Sequence, residues 1–131
     1  MKKEKDIIEE LAKKGLEIIK PSGYKPYRVE RLFRESTKAV TDLGRTRISK
    51  QDYVNEISGR LQKTIRRMMD SDEYYFPEGF KMENLDEKTD EFAKFYVEEI
   101  LMNLCDGNPG RLKKLSNNLA DGFYAATLRR K

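Results

Sequence analysis

Residues 86–105 read DEKTDEFAKFYVEEILMNLC, and the fold class follows from this stretch. Acids open it, which suits the positive N-terminal end of a helix. Phe92, Phe95, Tyr96, Val97, Ile100, Leu101, Met102 and Leu104 then cover most of a helical circumference. A helix that is apolar nearly all round is surrounded by others, so this one is expected at the centre of a bundle. Asp106-Gly107 ends it. Asn108-Pro109 supplies a cap residue followed by the residue best tolerated at the first helical position. The helix it opens carries Leu112, Leu115, Leu119, Phe123 and Ala126 on one side, with a bend expected at Gly122.

Three further helices are predicted upstream. The first runs from about Lys3 to Lys20 on Ile7, Ile8, Leu11, Ile18 and Ile19, and Pro21-Ser22-Gly23 stops it. The second, about Tyr27 to Leu43, places Val29, Leu32, Phe33, Ser36, Val40 and Leu43 on one face, and Gly44 ends it. Ser49 with Asp52 resembles a capping box, with Asp in place of Glu, opening a third helix that runs to about Asp70. Val54, Ile57, Leu61, Ile65 and Met68 form its stripe. Gly59 inside it costs ~1 kcal/mol relative to Ala, and is read as a place where another backbone approaches closely. Residues 70–85 form a long connection rich in acids and aromatics. No alternating strand pattern occurs. The expected architecture is all-α: one compact domain, residues 1–131, of about five helices.

Composition narrows the function classes. Apolar residues make up 37%, with seven Tyr and six Phe, enough for a modest core despite 38% charge. No run of about 18 apolar residues suggests a membrane span. The N-terminal residues continue into an amphipathic pattern with acids and not into a signal-peptide apolar region. A single Cys105 excludes an intramolecular disulfide and fits a reducing cytoplasm. Histidine is absent, which removes the commonest general base, the Ser-His and Cys-His nucleophile pairs and the commonest zinc ligand. The expectation is a protein that is not an enzyme and needs no cofactor.

The charge is unevenly laid out. Residues 24–69 hold 12 Lys/Arg against 5 Asp/Glu, residues 70–106 hold 3 against 12, and the last 25 residues hold 6 against 1. A single-sign face concentrates counter-charged partners, of which nucleic-acid phosphate is the commonest. On the second helix Arg28, Arg31, Arg34 and Lys38 project opposite the apolar stripe, and Arg45 and Arg47 extend the charge through the next loop. On the third, Arg60, Lys63, Arg66 and Arg67 form another basic arc. If these helices pack antiparallel, the two arcs flank one shared surface. Lys113 and Lys114 are additions from the fifth helix. Arginine predominates, and its planar fork suits phosphate.

Other features have plainer readings. Tyr24, Tyr27, Tyr53, Tyr74, Tyr75 and Phe76 are candidates for base stacking, though such residues more often pack under loops. Asp70, Asp72, Glu73, Glu78 and Glu83 lack the ligand order of an EF-hand, so a solvated or partner-facing segment is expected and no metal. Gly107-Asn108-Pro109-Gly110-Arg111 precedes a helix N-terminus that can hold an anion, but it lacks a Walker A ending, and capping explains it. Cys105 reads as a buried small hydrophobe. One of Glu98 and Glu99 is expected to meet a buried base such as an arginine.

Phe92-Ala93-Lys94-Phe95-Tyr96-Val97-Glu98-Glu99-Ile100 through Cys105-Asp106-Gly107-Asn108 and Arg111-Leu112 resembles the C-terminal region of the large subunit of type I-D CRISPR–Cas effector complexes. In that family the region is also made separately as the small subunit. Tyr27 to Glu35 and Gly59-Arg60-Leu61 are similar in character to the preceding helices there. The resemblance implies a helical bundle present in more than one copy, lining the guide RNA–target DNA duplex and helping to hold the displaced strand of the R-loop. It implies phosphate contacts by the arginines of the second and third helices, with sequence read by base pairing. Nothing here corresponds to the large subunit's nuclease domain. Residues 70–85 are the candidate contact with neighbouring subunits, a second copy included. Two rivals remain: a helical adaptor whose basic face binds an acidic protein, and a small metal-dependent hydrolase using Asp70, Asp72 or Glu73.

Overall fold

Each amphipathic segment forms a helix that buries its apolar stripe. A computed structural model describes residues 3–19, 26–44, 49–70 and 84–129, and of these the side chains of residues 19, 26–28, 69 and 70 lie outside the description. The helices are α1 (Glu4–Ile19), α2 (Pro26–Leu43), α3 (Lys50–Asp70), α4 (Leu85–Phe95), a π-helical continuation of α4 (Tyr96–Leu104) and α5 (Pro109–Arg129). The predicted all-α bundle is what the chain forms. No described helix is long and apolar enough to cross a membrane.

The helix ends follow from side-chain chemistry. Ser49 Oγ accepts from the Asp52 N–H, and Asp52 Oδ2 accepts from the Ser49 N–H, both at 3.1 Å. This reciprocal box opens α3. Hydrogen bonding from the Ser49 backbone and hydroxyl holds the Asp52 carboxyl below its usual pKa. Asn108 Oδ1 accepts from the N–H groups of Gly110 (2.9 Å) and Arg111 (3.2 Å), capping α5. Gly44, at φ +74°, closes α2 in the left-handed conformation that favours glycine.

Around the molecule α1 packs on α5, α5 on α2, α2 on α3, α3 on α4, and α4 back on α1. The predicted central helix meets all the others, its π segment reaching α1, α3 and α5 and, through Tyr96, α2. It is not enclosed, however: it forms one wall of a ring, with Glu91 and Lys94 exposed on α4 and Glu98 on its continuation. The centre is filled by rings from three walls. Phe33 lies 5.4 Å edge-on from Tyr96 and 5.2 Å from Phe123, and Phe92 meets Phe123 at 6.4 Å between centroids. The wide apolar spread on the fourth helix has another cause, a change of pitch. Over the nine residues from Tyr96 to Cys105, about two and a half α-turns would put Cys105 opposite Tyr96. The i→i+5 closure of the π segment uses more residues per turn, and both side chains are fully buried.

The close approach expected at Gly59 is found at another glycine. Gly59 is exposed, and a Cβ there would meet nothing within 4 Å, so no backbone approaches it. The close approach is at Gly15, where a Cβ would sit 3.0 Å from Val29 Cγ1 and 3.3 Å from both Phe92 and Phe123. α5 runs as one helix through Gly122, beside Ile8 of α1.

Candidate nucleic-acid interface

The ring sorts the charge that the sequence lays out in blocks. The contiguous walls α5, α2 and α3 carry 13 Lys/Arg against 7 Asp/Glu, while α4 with its π segment and α1 carry 5 against 11. Three neighbouring helices thus make a basic half, and the two that close the ring make an acidic half.

The predicted residues divide within the basic half. α2 and α3 pack together, and only six residues connect them. Six residues span at most ~20 Å, too short to return along the ~27 Å of α2, so the pair is antiparallel as expected. Their seam, however, is neutralised. Arg60, 27% exposed, donates from Nη1 to Asp42 Oδ2 and from Nε to Glu56 Oε1, both at 2.9 Å. Partial burial pulls the Arg60 pKa down, but the two carboxylates outweigh it and hold it above the usual value. Arg66 instead lines a groove beside Asp86 and Glu87 of α4. Lys63 and Arg67 are exposed on α3, and Arg31 is half-buried on α2.

A second gathering forms between α2 and α5. Arg34 and Lys38 on one wall and Lys113 on the other line an open groove of about 220 Å³, with Phe33, Thr37, Thr41 and Ser116 completing it. Among the described residues no carboxylate lines it. Arg34 is paired along its own helix with Glu30, through Nε at 2.9 Å and Nη2 at 2.7 Å. Lys38 and Lys113 form no ion pair among the described residues. Lys114 is exposed one residue on.

The groove floor is tied to the core. Tyr96 Oη and Thr37 Oγ1 lie 2.6 Å apart, and Thr37 also donates to the Phe33 carbonyl at 3.1 Å, so Tyr96 supplies the proton between the two hydroxyls. Burial pushes the Tyr96 phenol far above its usual pKa, with the Thr37 hydrogen bond acting the other way. Sequence reasoning missed the role of Thr37, Thr41 and Ser116. The signal was present: Arg34, Thr37, Lys38 and Thr41 recur at i, i+3, i+4 and i+7, a polar stripe beside the apolar one.

The remaining candidates resolve as follows. Tyr53 is 4% exposed and its hydroxyl donates to the Gly44 carbonyl, so it is a core residue and offers no face to a base. Tyr24, Tyr74, Tyr75, Phe76, Arg45, Arg47 and the acids from Asp72 to Glu83 lie outside the described residues, as do the side chains of Tyr27, Arg28 and Asp70. Among the described residues no three His, Cys, Asp or Glu gather in a metal-binding arrangement. Glu98 is exposed and Glu99 accepts from Asn103 at 3.2 Å, so the buried base expected for this pair is replaced by an amide one turn on. Cys105 is a buried free thiol, and burial pushes its pKa up to about 11. The N–H groups at the start of α5 are taken by Asn108, and Arg111 pairs with Asp106 at 2.9 Å. Comparison with protein-family models, curated proteins and solved structures finds no match to this chain.

Proposed function

We propose that this chain is a non-catalytic subunit that binds the phosphate backbone of nucleic acid through the α5–α2–α3 half of the ring. The supporting observation is the concentration of cations on three contiguous walls, with Lys38, Lys63, Arg67, Lys113 and Lys114 exposed. The basic half has no base-reading motif, so it recognises charge and shape. The resemblance of its sequence to the type I-D small subunit suggests the setting: a CRISPR–Cas ribonucleoprotein, where guide–target pairing carries the sequence information.

The test is fluorescence anisotropy with labelled single-stranded DNA, double-stranded DNA and an RNA–DNA duplex across a salt series. The wild type should bind with affinity falling linearly in log salt. Lys63→Glu/Arg67→Glu should bind more weakly with a shallower slope, at unchanged circular dichroism. No binding by the wild type at low salt, with tight capture of an acidic protein instead, would replace this reading with that of an adaptor.

A further inference from the structure

Three cations elsewhere in the bundle have an internal counter-ion. Arg60 has Asp42 and Glu56 at the α2–α3 seam, Arg129 has Glu9 at the α1–α5 seam, and Arg111 has Asp106 at the turn into α5. The α2–α5 seam differs. Three cations line one groove, no carboxylate is among its described lining residues, and Arg34 is engaged with Glu30 along its own helix. Like charges gathered from two helices around one groove repel each other. A fold that brings Lys38 and Lys113 together without an acid leaves their balance to an ion from outside.

We infer that the α2–α5 groove is a site for one phosphate group, held between Lys38 and Lys113 with Arg34 at its edge; on the reading above, that group is a backbone phosphodiester. A tetrahedral phosphate presents oxygens in several directions and so can meet both walls at once. The Arg34 fork keeps three of its five N–H donors after bonding Glu30. The groove hydroxyls do not compete for this role. Ser116 donates to the Lys113 carbonyl at 2.9 Å, Thr41 to that of Lys38 at 3.2 Å, and Thr37 to that of Phe33 at 3.1 Å. Their hydrogens point into their own helices, and the cations alone hold the anion. The groove opens to solvent, so a phosphate within a longer strand can reach it from the surface.

Two measurements test this. The first is the melting temperature of the full chain in rising sodium phosphate, against sodium chloride of equal ionic strength. The wild type should gain a saturable increase of several degrees specific to phosphate. Lys38→Gln/Lys113→Gln should lose it, Thr41→Val should keep it, and Lys63→Gln/Arg67→Gln should keep it. Equal shifts in the two salts, or a phosphate shift surviving in Lys38→Gln/Lys113→Gln, overturn the site. The second is anisotropy with oligonucleotides carrying a 5′-phosphate or a 5′-hydroxyl. A salt slope shallower by about one to two in Lys38→Gln/Lys113→Gln, on both oligonucleotides, identifies an internal phosphodiester. A loss confined to the 5′-phosphorylated strand assigns the groove to terminal phosphate and overturns the backbone assignment. If oligonucleotides bind the wild type and this variant alike while Lys63→Gln/Arg67→Gln loses them, the groove fails and the nucleic-acid reading stands. If no oligonucleotide binds but the phosphate-specific shift is present, the nucleic-acid reading fails and the groove stands as a site for free phosphate.

Discussion

Helix α2 has a neighbour on each flank, α3 and α5, and the two seams treat positive charge differently. Toward α3, Asp42 reaches Arg60, which Glu56 also holds, and the seam closes on itself. Toward α5, Arg34, Lys38 and Lys113 line an open groove with no acid among its described lining residues, and the joint depends on what lies beneath. Below the groove Phe33 meets Phe123, and Thr37 meets Tyr96. One flank is stitched at the surface. The other is fastened from the core and left charged at the surface, which is the arrangement a binding face needs.

The largest effect should come from removing that inner fastening. Phe123 is fully buried and touches the rings of Phe33 and Phe92. Phe123→Ala should cost about 3–5 kcal/mol, measured by urea denaturation. A loss below about 1 kcal/mol would mean that the α2–α5 seam is not held from the core. Next is Thr37→Val, which keeps shape but takes away the acceptor of the buried Tyr96 hydroxyl. Leaving that group unsatisfied should cost about 1–3 kcal/mol. Thr37→Val/Tyr96→Phe should recover part of the loss, because both polar partners are then gone. A double variant no more stable than Thr37→Val would show that the bond is not what Thr37 contributes.

The apolar periodicity of the sequence made the five helices legible, and the Ser49/Asp52 and Asn108-Pro109 patterns made two of their starts legible. The walls' order was not, because amphipathic stripes say which face is inward but not which helix lies beside it. That is why Arg60, read from its own helix as a free cation, proves to be committed to Asp42. Lys113, an addition by sequence, faces Lys38 for the same reason. The π segment was visible only as apolar residues spread too widely for one α-helical face. Gly59 and Gly15 are both mid-helix glycines in sequence; packing alone distinguishes the exposed one from the crowded one.

Gly59 then serves as a probe of α3 away from the groove. Its Cβ would meet nothing, so Gly59→Ala should stabilise by about 0.5–1 kcal/mol through helix propensity. Nucleic-acid binding should be unchanged. Gly15→Ala gains the same propensity but must displace Val29 Cγ1 at 3.0 Å, so it should be the less stable of the two variants. A Gly15→Ala protein matching Gly59→Ala would show that the Val29 side of the core yields freely.

The smallest effects carry the sharpest contrast, since the two seams should respond to salt with opposite sign. The Arg60 pairs are partly exposed, and removing them in Arg60→Gln should cost less than about 1 kcal/mol. Salt screens the attraction, so the cost should shrink between 20 mM and 500 mM sodium chloride, because the Debye length falls about threefold for each tenfold rise in salt. At the α2–α5 seam Lys113→Gln removes repulsion, so in low salt without phosphate it should stabilise by a few tenths of a kcal/mol, about the scale of other like-charge pairs on helix surfaces. Salt should shrink that gain too, because it relieves the wild type. Denaturation curves of wild type, Arg60→Gln and Lys113→Gln at both salt concentrations measure the two signs directly. If Lys113→Gln destabilises in low salt, Lys113 has an attractive partner in the folded chain. The seam facing α5 would then be balanced from within, as the one facing α3 is.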